Sequence, residues 1–222
     1  MSAGRREAGG GIFISDARRG GVETVTTATS NPFGMAIDGP AVYGYGDANA
    51  DFHVFGDSPA RHGGAETGVP FTDSEAGRRV QSLLHELGFL DRPYSDEPTL
   101  SNLYLSYIHP GASDGEPTPE SYADQERFLD AELRAINAHI LLPIGDRAFE
   151  YALEHHTSVR ETTDPRTSAM HATPVRGRGF LVVPVAEPTE WTDADRETLA
   201  ATLRELLDGD YRQTKGVATR IG

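Results

Sequence analysis

Four short runs of β-forming residues alternate along this chain with longer stretches whose apolar positions recur at helical spacing. Phe52, Val54 and Phe55 make the first run, which Gly56 and Pro59 end. Ala76, Val80, Leu83, Leu84 and Leu87 then repeat every three or four residues between a polar start at Ser74 and a stop at Gly88, which predicts a helix. Residues 100–108 are β-rich, residues 110–119 form a loop dense in Gly, Pro and Asp, and Thr118-Pro119-Glu120 opens a long helix carrying Phe128, Leu129, Leu133 and Ile136. Ile140, Leu141, Leu142 and Ile144, closed by Gly145, read as a buried parallel strand, followed by a short helix over residues 146–153. Residues 155–178 show no periodicity. Residues 180–185 are the last strand, and Thr192 with Asp195 and Glu197 starts a final helix through Leu207. The alternation predicts an α/β fold with a parallel sheet and helices on both faces.

The length of 222 residues suits one such domain. Residues 1–24, rich in Gly and Arg, read as a flexible tail, residues 25–212 as the domain, and residues 213–222 as a second tail. No apolar run is long enough to span a bilayer and no signal-peptide core is present, so the expectation is a cytoplasmic protein without membrane contact, acting as a monomer. The chain has no cysteine, which excludes disulfides, thiolate nucleophiles and Cys-bound metals or clusters.

Thirty-four acidic residues stand against 20 basic ones, a net charge of -14, and Lys215 is the only lysine. That balance reads as a salt-adapted, halophilic proteome, the alternative being an ordinary acidic protein from a GC-rich genome. It argues against nucleic-acid binding through a broad basic face. In molar salt, where the Debye length falls to about 3 Å, the objection weakens and short-range stacking and hydrogen bonds carry affinity.

Candidate chemistry concentrates in residues 56–73, GDSPARHGGAETGVPFTD. Asp57 and Ser58 fall just past the end of a strand, where open α/β sheets place their ligands. Asp57 either acts chemically there or caps the turn through backbone hydrogen bonds. Phe71 is a stacking ring for a planar ligand or a core residue under the loop, and His62 a hydrogen-bond donor to a ligand or a solvent-facing loop residue. Gly63, Gly64 and Gly68 let backbone approach a ligand closely. Arg160, Arg166, Arg176 and Arg178 are phosphate contacts or a solvated loop. His155 and His156, adjacent and without a spaced acidic partner, do not make a metal site.

Three segments resemble the uracil-DNA glycosylase superfamily, in particular its families four and five: residues 56–77, residues 101–120 and residues 126–153, in the family's order. The resemblance implies a three-layer α/β/α sandwich around a central parallel four-stranded sheet, and hydrolysis of the N-glycosidic bond of uracil, or a related deaminated base, in DNA, including single-stranded DNA. It implies that Asp57 orients water and stabilises the sugar cation, that Phe71 stacks on the flipped base, and that Asn102, with Ser58, binds the base edge. His62, Gly63 and Thr189 become DNA or phosphate contacts.

Two departures accompany the match. Relatives hold a four-iron four-sulfur cluster with four cysteines; here those positions are Ala28, Asn31, Ser106 and Gln125, so no cofactor is expected. The family's last motif, His-Pro-Ser or His-Pro-Thr, has become Glu187-Pro188-Thr189. A donor is wanted there to stabilise the departing base anion. Either burial keeps Glu187 protonated so that it serves as a catalytic acid, or Thr189 or His62 supplies the donor, or the site no longer cleaves. Trp191, just beyond, is a wedge into DNA or a staple for the last helix. A second reading is therefore an inactive or weakened member that binds nucleic acid or a nucleotide, and a third is a hydrolase of small nucleotides on the same scaffold.

Overall fold

A period of two along each strand decides how the layers assemble. The computed structural model describes residues 37–112, 115–157, 166–209 and 211. Both expected tails, Ala28, Asn31 and Arg160 lie outside them. Six strands form one sheet: β1 (Tyr45–Gly46), β2 (Phe52–Gly56), β3 (Leu103–Tyr107), β4 (Ile140–Pro143), β5 (Val175–Arg176) and β6 (Leu181–Val182), in the order β1-β3-β2-β4-β6-β5. The four inner strands are parallel, and the two-residue edges β1 and β5 run antiparallel. Phe52, Val54, Leu103, Leu105, Ile140 and Leu142 turn to one face, where helices α2 (Glu75–Glu86) and α6 (Asp193–Asp208) bring Val80, Leu83, Leu84, Leu199 and Leu203. Phe55, Tyr104, Ile108 and Leu141 turn to the other, against Leu129 and Leu133 of α3 (Pro119–Ile136) and Phe149 and Leu153 of α4 (Asp146–His156). The result is the expected three-layer sandwich, but its sheet is mixed and six-stranded, because the short antiparallel strands β1 and β5 extend the expected four parallel strands at either edge.

The helix starts follow from local chemistry. Ser74 Oγ accepts the Gly77 N–H, Thr118 Oγ1 accepts the Ser121 N–H ahead of Pro119, and Thr192 and Asp195 cap each other reciprocally. Residues 155–178, expected to lack elements, contain the short helix α5 (Thr167–Met170) and β5, because the turn around Gly177 and Gly179 folds β5 back on β6. Only two residues of the expected strand over 180–185 are regular, since Pro184 has no N–H to donate. Val183 and Val185 nevertheless still pair with Leu141 and Pro143.

The chain leaves β2 toward α2 on one face and leaves β4 toward α4 on the other. Adjacent parallel strands whose connections part in this way open a crevice at their carboxyl ends.

Beneath α3 lies a buried polar network. Glu132, only 6% exposed, accepts from the Tyr104 hydroxyl, from Ser106 and from the backbone of Gly44, and Ser106 Oγ also pairs with His53 Nε2 at 2.7 Å. Ser106 and Gln125, whose Oε1 accepts the Gly111 N–H, offer a hydroxyl and an amide where the resemblance places cluster cysteines. Without thiolates these positions do not fit an iron–sulfur cluster. Burial pushes the Glu132 carboxyl up to about 8, against 4.5 for an ordinary glutamate, while burial and the neighbouring His156 lower His53 to about 3. The fold therefore binds a proton at Glu132 that the unfolded chain releases above pH 4.5. Stability from this group is complete below that pH and is lost as pH rises through about 8. Glu132→Gln should abolish the loss, so chemical denaturation between pH 5 and 9 should show wild type falling behind the variant by about 4 kcal/mol. Parallel curves would mean that Glu132 is ionised in the fold.

Candidate active site

The turn after β2 is built on a close approach. A Cβ on Gly56 would lie 2.5 Å from His62 Nδ1 and 3.0 Å from the Phe71 ring, so only glycine lets the chain pass beneath them. The helical turn α1 (Pro59–His62) follows at once and folds His62 back, so that the Asp57 N–H donates to His62 Nδ1 at 3.1 Å. A ring nitrogen that accepts an N–H carries no proton, which leaves the proton on Nε2, 3.3 Å from Glu187 Oε2. His62 thus ties the Asp57 turn to the loop after β6. The His109 N–H, donating to the Asp57 carbonyl at 3.0 Å, ties the same turn to the end of β3.

Asp57 is 8% exposed and its Oδ1 accepts a hydrogen bond from the Tyr122 hydroxyl of α3. Burial, and then Asp57 itself, raise the Tyr122 phenol, which keeps its proton and donates. Oδ2 lies 4.0 Å from Arg147 Nε, and the Arg147 guanidinium sits 3.9 Å over the Tyr122 ring. Arg147 comes from the first turn of α4, just past the end of β4. The third wall is the loop after β6. Ala186 donates to His171, Trp191 Nε1 donates to the Ala186 carbonyl, and Arg79 donates to the carbonyls of Pro188 and Trp191, fixing Glu187 at the rim. Asp57, Arg61, Tyr122, Arg147 and Glu187 line one cleft of about 740 Å³.

Glu187 keeps 12% of its side chain exposed and receives Arg61 Nε at 3.0 Å as well as His62. Burial by itself would raise its carboxyl. The hydrogen bonds from His62 and Arg61, with the Arg61 charge, outweigh burial and hold it below the ordinary glutamate range, so Glu187 is ionised. The expectation of a protonated catalytic acid is corrected: the carboxylate accepts two donors and has no proton to give.

Of the other expected site residues, Ser58 and Thr189 line the cleft, Ser58 buried at its floor and Thr189 exposed at its edge. Four do not reach it. Asn102 precedes β3 and lies at the amino end of the sheet, about five residues and roughly 16 Å from the turn after β2. There it accepts the Asp51 N–H and donates to Tyr211, whose hydroxyl also donates to Asp51. Phe71 is 0% exposed, packed between His62 and Tyr107, with no ring surface for a base. His62 is likewise enclosed and cannot face phosphate. Gly63, at φ 89, is buried where a Cβ would fall 1.9 Å from the Thr72 carbonyl, so its glycine serves the loop's own packing. Trp191 is buried in the core that α2 and α6 share, beside His171, and offers no wedge to DNA. Arg61, Tyr122 and Arg147 were missed. The end-of-strand rule, applied to the run that Gly145 closes, points to Arg147.

Fold and site together define a three-layer α/β protein whose cleft, lined by carboxylates and two arginines, opens at a topological switch point. A profile of the Uracil DNA glycosylase superfamily matches residues 43–206, and the chain belongs to that superfamily. It is 32% identical over 172 residues to a Type-5 uracil-DNA glycosylase of Thermus thermophilus, covering 75% of this chain and 78% of the relative. A Type-5 uracil-DNA glycosylase of Pyrobaculum aerophilum is 30% identical over 115 residues, 50% of this chain and 51% of its own. One of Mycobacterium tuberculosis is 29% identical over 126 residues, 52% of this chain and 46% of its own. Among the described residues no group of three or more His, Asp or Glu side chains converges on a metal position, and no helix is long and apolar enough to cross a membrane.

Proposed function

We propose that this protein is a uracil-DNA glycosylase that hydrolyses the N-glycosidic bond of uracil in DNA, single-stranded DNA included, as a cytoplasmic monomer. The observation that carries the reading is Asp57, its carboxylate oriented by Tyr122 at the floor of the cleft between the ends of β2 and β4. A uracil turned out of the strand enters this cleft. As the C1′–N1 bond breaks, its electron pair leaves with N1 and the sugar gains positive charge, which the Asp57 carboxylate stabilises. A water held by Asp57 adds its oxygen to C1′, and the proton it sheds ends on N1 of the departing base. Free uracil and an abasic sugar are the products. Arg61, about half exposed and fixed by Glu187, places a cation at the rim to stabilise the base anion, the task the resemblance gives to a histidine.

The test is release of uracil from a labelled single-uracil oligonucleotide, single- and double-stranded, in molar potassium chloride. Glu187→Gln keeps an acceptor for Arg61 and removes a negative charge that opposes the base anion, so release should equal or exceed wild type by a few-fold. A loss of 10²-fold or more would restore Glu187 as an acid. The same ion pair favours a second reading, a nucleic-acid binder that has lost the chemistry, because it sets a carboxylate where an anion develops. Binding without release at any salt would establish it.

A further inference from the structure

We propose that the flipped base stacks on the guanidinium of Arg147, with Tyr122 as the backing of that platform, an inference that rests on the base-excision reading above. A planar base drawn out of a strand is held against a flat π-surface, an aromatic ring or a guanidinium. Phe71, the expected ring, has none of its surface exposed, and Tyr107 beside it is 1% exposed. Among the described residues Tyr122 is the only aromatic on the cleft wall, and Arg147 covers it. The guanidinium lies 3.9 Å over the Tyr122 ring while the side chain keeps 46% of its surface open, so one face is backed and the other is presented to the cleft.

Two contacts hold that plane still and a third holds its backing. The Tyr122 ring lies below it, Asp57 Oδ2 stands 4.0 Å from its Nε, and Asp57 Oδ1 in turn fixes the Tyr122 hydroxyl. The same arrangement sets register, since a base on the outer face of Arg147 brings its glycosidic carbon toward Asp57. It also assigns charge: a cation stacked on the base is attracted more strongly as the base becomes an anion, so the platform favours a leaving pyrimidine over a stable one. Tyr122 and Asp57 act on the plane as positioning residues, and Arg147 is the residue that touches the base.

The test separates stacking from phosphate contact and from catalysis. Fluorescence anisotropy compares an oligonucleotide carrying one 2′-fluoro-deoxyuridine, which resists cleavage, with the same strand carrying a tetrahydrofuran in its place. Wild type should bind the base-bearing strand about tenfold more tightly, the size of one stacked base. Arg147→Ala and Arg147→Lys should both erase that preference, because lysine keeps the charge and loses the plane. Tyr122→Phe, which keeps the ring, should keep it. A preference that survives Arg147→Ala overturns the platform, as does equal loss of affinity for both strands, which marks a phosphate contact. Wild type that prefers the base yet releases no uracil overturns the glycosylase reading and leaves the platform standing.

Discussion

Asp57→Asn should lower uracil release by at least 10²-fold and leave the melting temperature within a degree or two of wild type. Asparagine has the same shape, and its Oδ1 still accepts the Tyr122 hydroxyl, so the turn after β2 keeps its hydrogen bonds. What it removes is one negative charge at the floor of a cleft where positive charge develops on the sugar. Fixed charges aimed at a developing charge are worth about 10²–10³-fold in rate, and a hundredfold loss corresponds to about 2.7 kcal/mol in the barrier. Single-turnover release with enzyme in excess reads the chemical step directly. A variant that melts normally and retains more than a tenth of the wild-type rate would remove Asp57 from the chemistry.

Residues at the ends of strands were legible in the sequence, and residues defined by depth were not. Asp57 and Ser58 follow a β-run closed by glycine, and a parallel sheet sends such positions to one edge, so their place in a cleft came from pattern alone. Asn102 adjoins a strand too, but just before its beginning, and strand polarity carries it to the opposite edge. Phe71 and His62 occupy a loop whose sequence leaves Phe71 open between a stacking ring and a core residue, and His62 between a phosphate contact and a solvent-facing residue. They are buried because Gly56 and Gly63 let the loop fold under itself, and because the Phe71 N–H is anchored by Tyr107 in the core. Spacing does not report that descent. Tyr122 sits one turn into a helix whose start the sequence marks well, and its approach to Asp57 depends on how α3 crosses the sheet, a tertiary fact without a local signal. The ionisation of Glu187 likewise depends on Arg61 and His62, 126 and 125 residues away along the chain.

Uracil release should rise with salt where most DNA-binding proteins lose affinity. The chain carries a net charge of -14, and Asp57, Glu116, Asp146, Glu150, Glu187 and Glu190 line a cleft that holds two arginines. Both arginines are already engaged, Arg61 with Glu187 and Arg147 with Asp57 and Tyr122, so among the described residues the cleft lining has no further basic side chain to neutralise phosphate. A protein making 6–10 phosphate contacts loses about 10³–10⁵-fold in affinity between 50 and 200 mM salt because it forfeits counterion release. Here that gain is small and the opposing force is repulsion between phosphates and the acidic rim. Its range shrinks from about 10 Å at 0.1 M to about 3 Å at 1 M, while stacking and short hydrogen bonds are untouched. With DNA far below saturation, kcat/KM should therefore climb about tenfold between 0.1 and 1 M potassium chloride. A steep fall over that range would place a phosphate-binding cationic surface elsewhere on the chain and would separate the acidic composition from the working of the site.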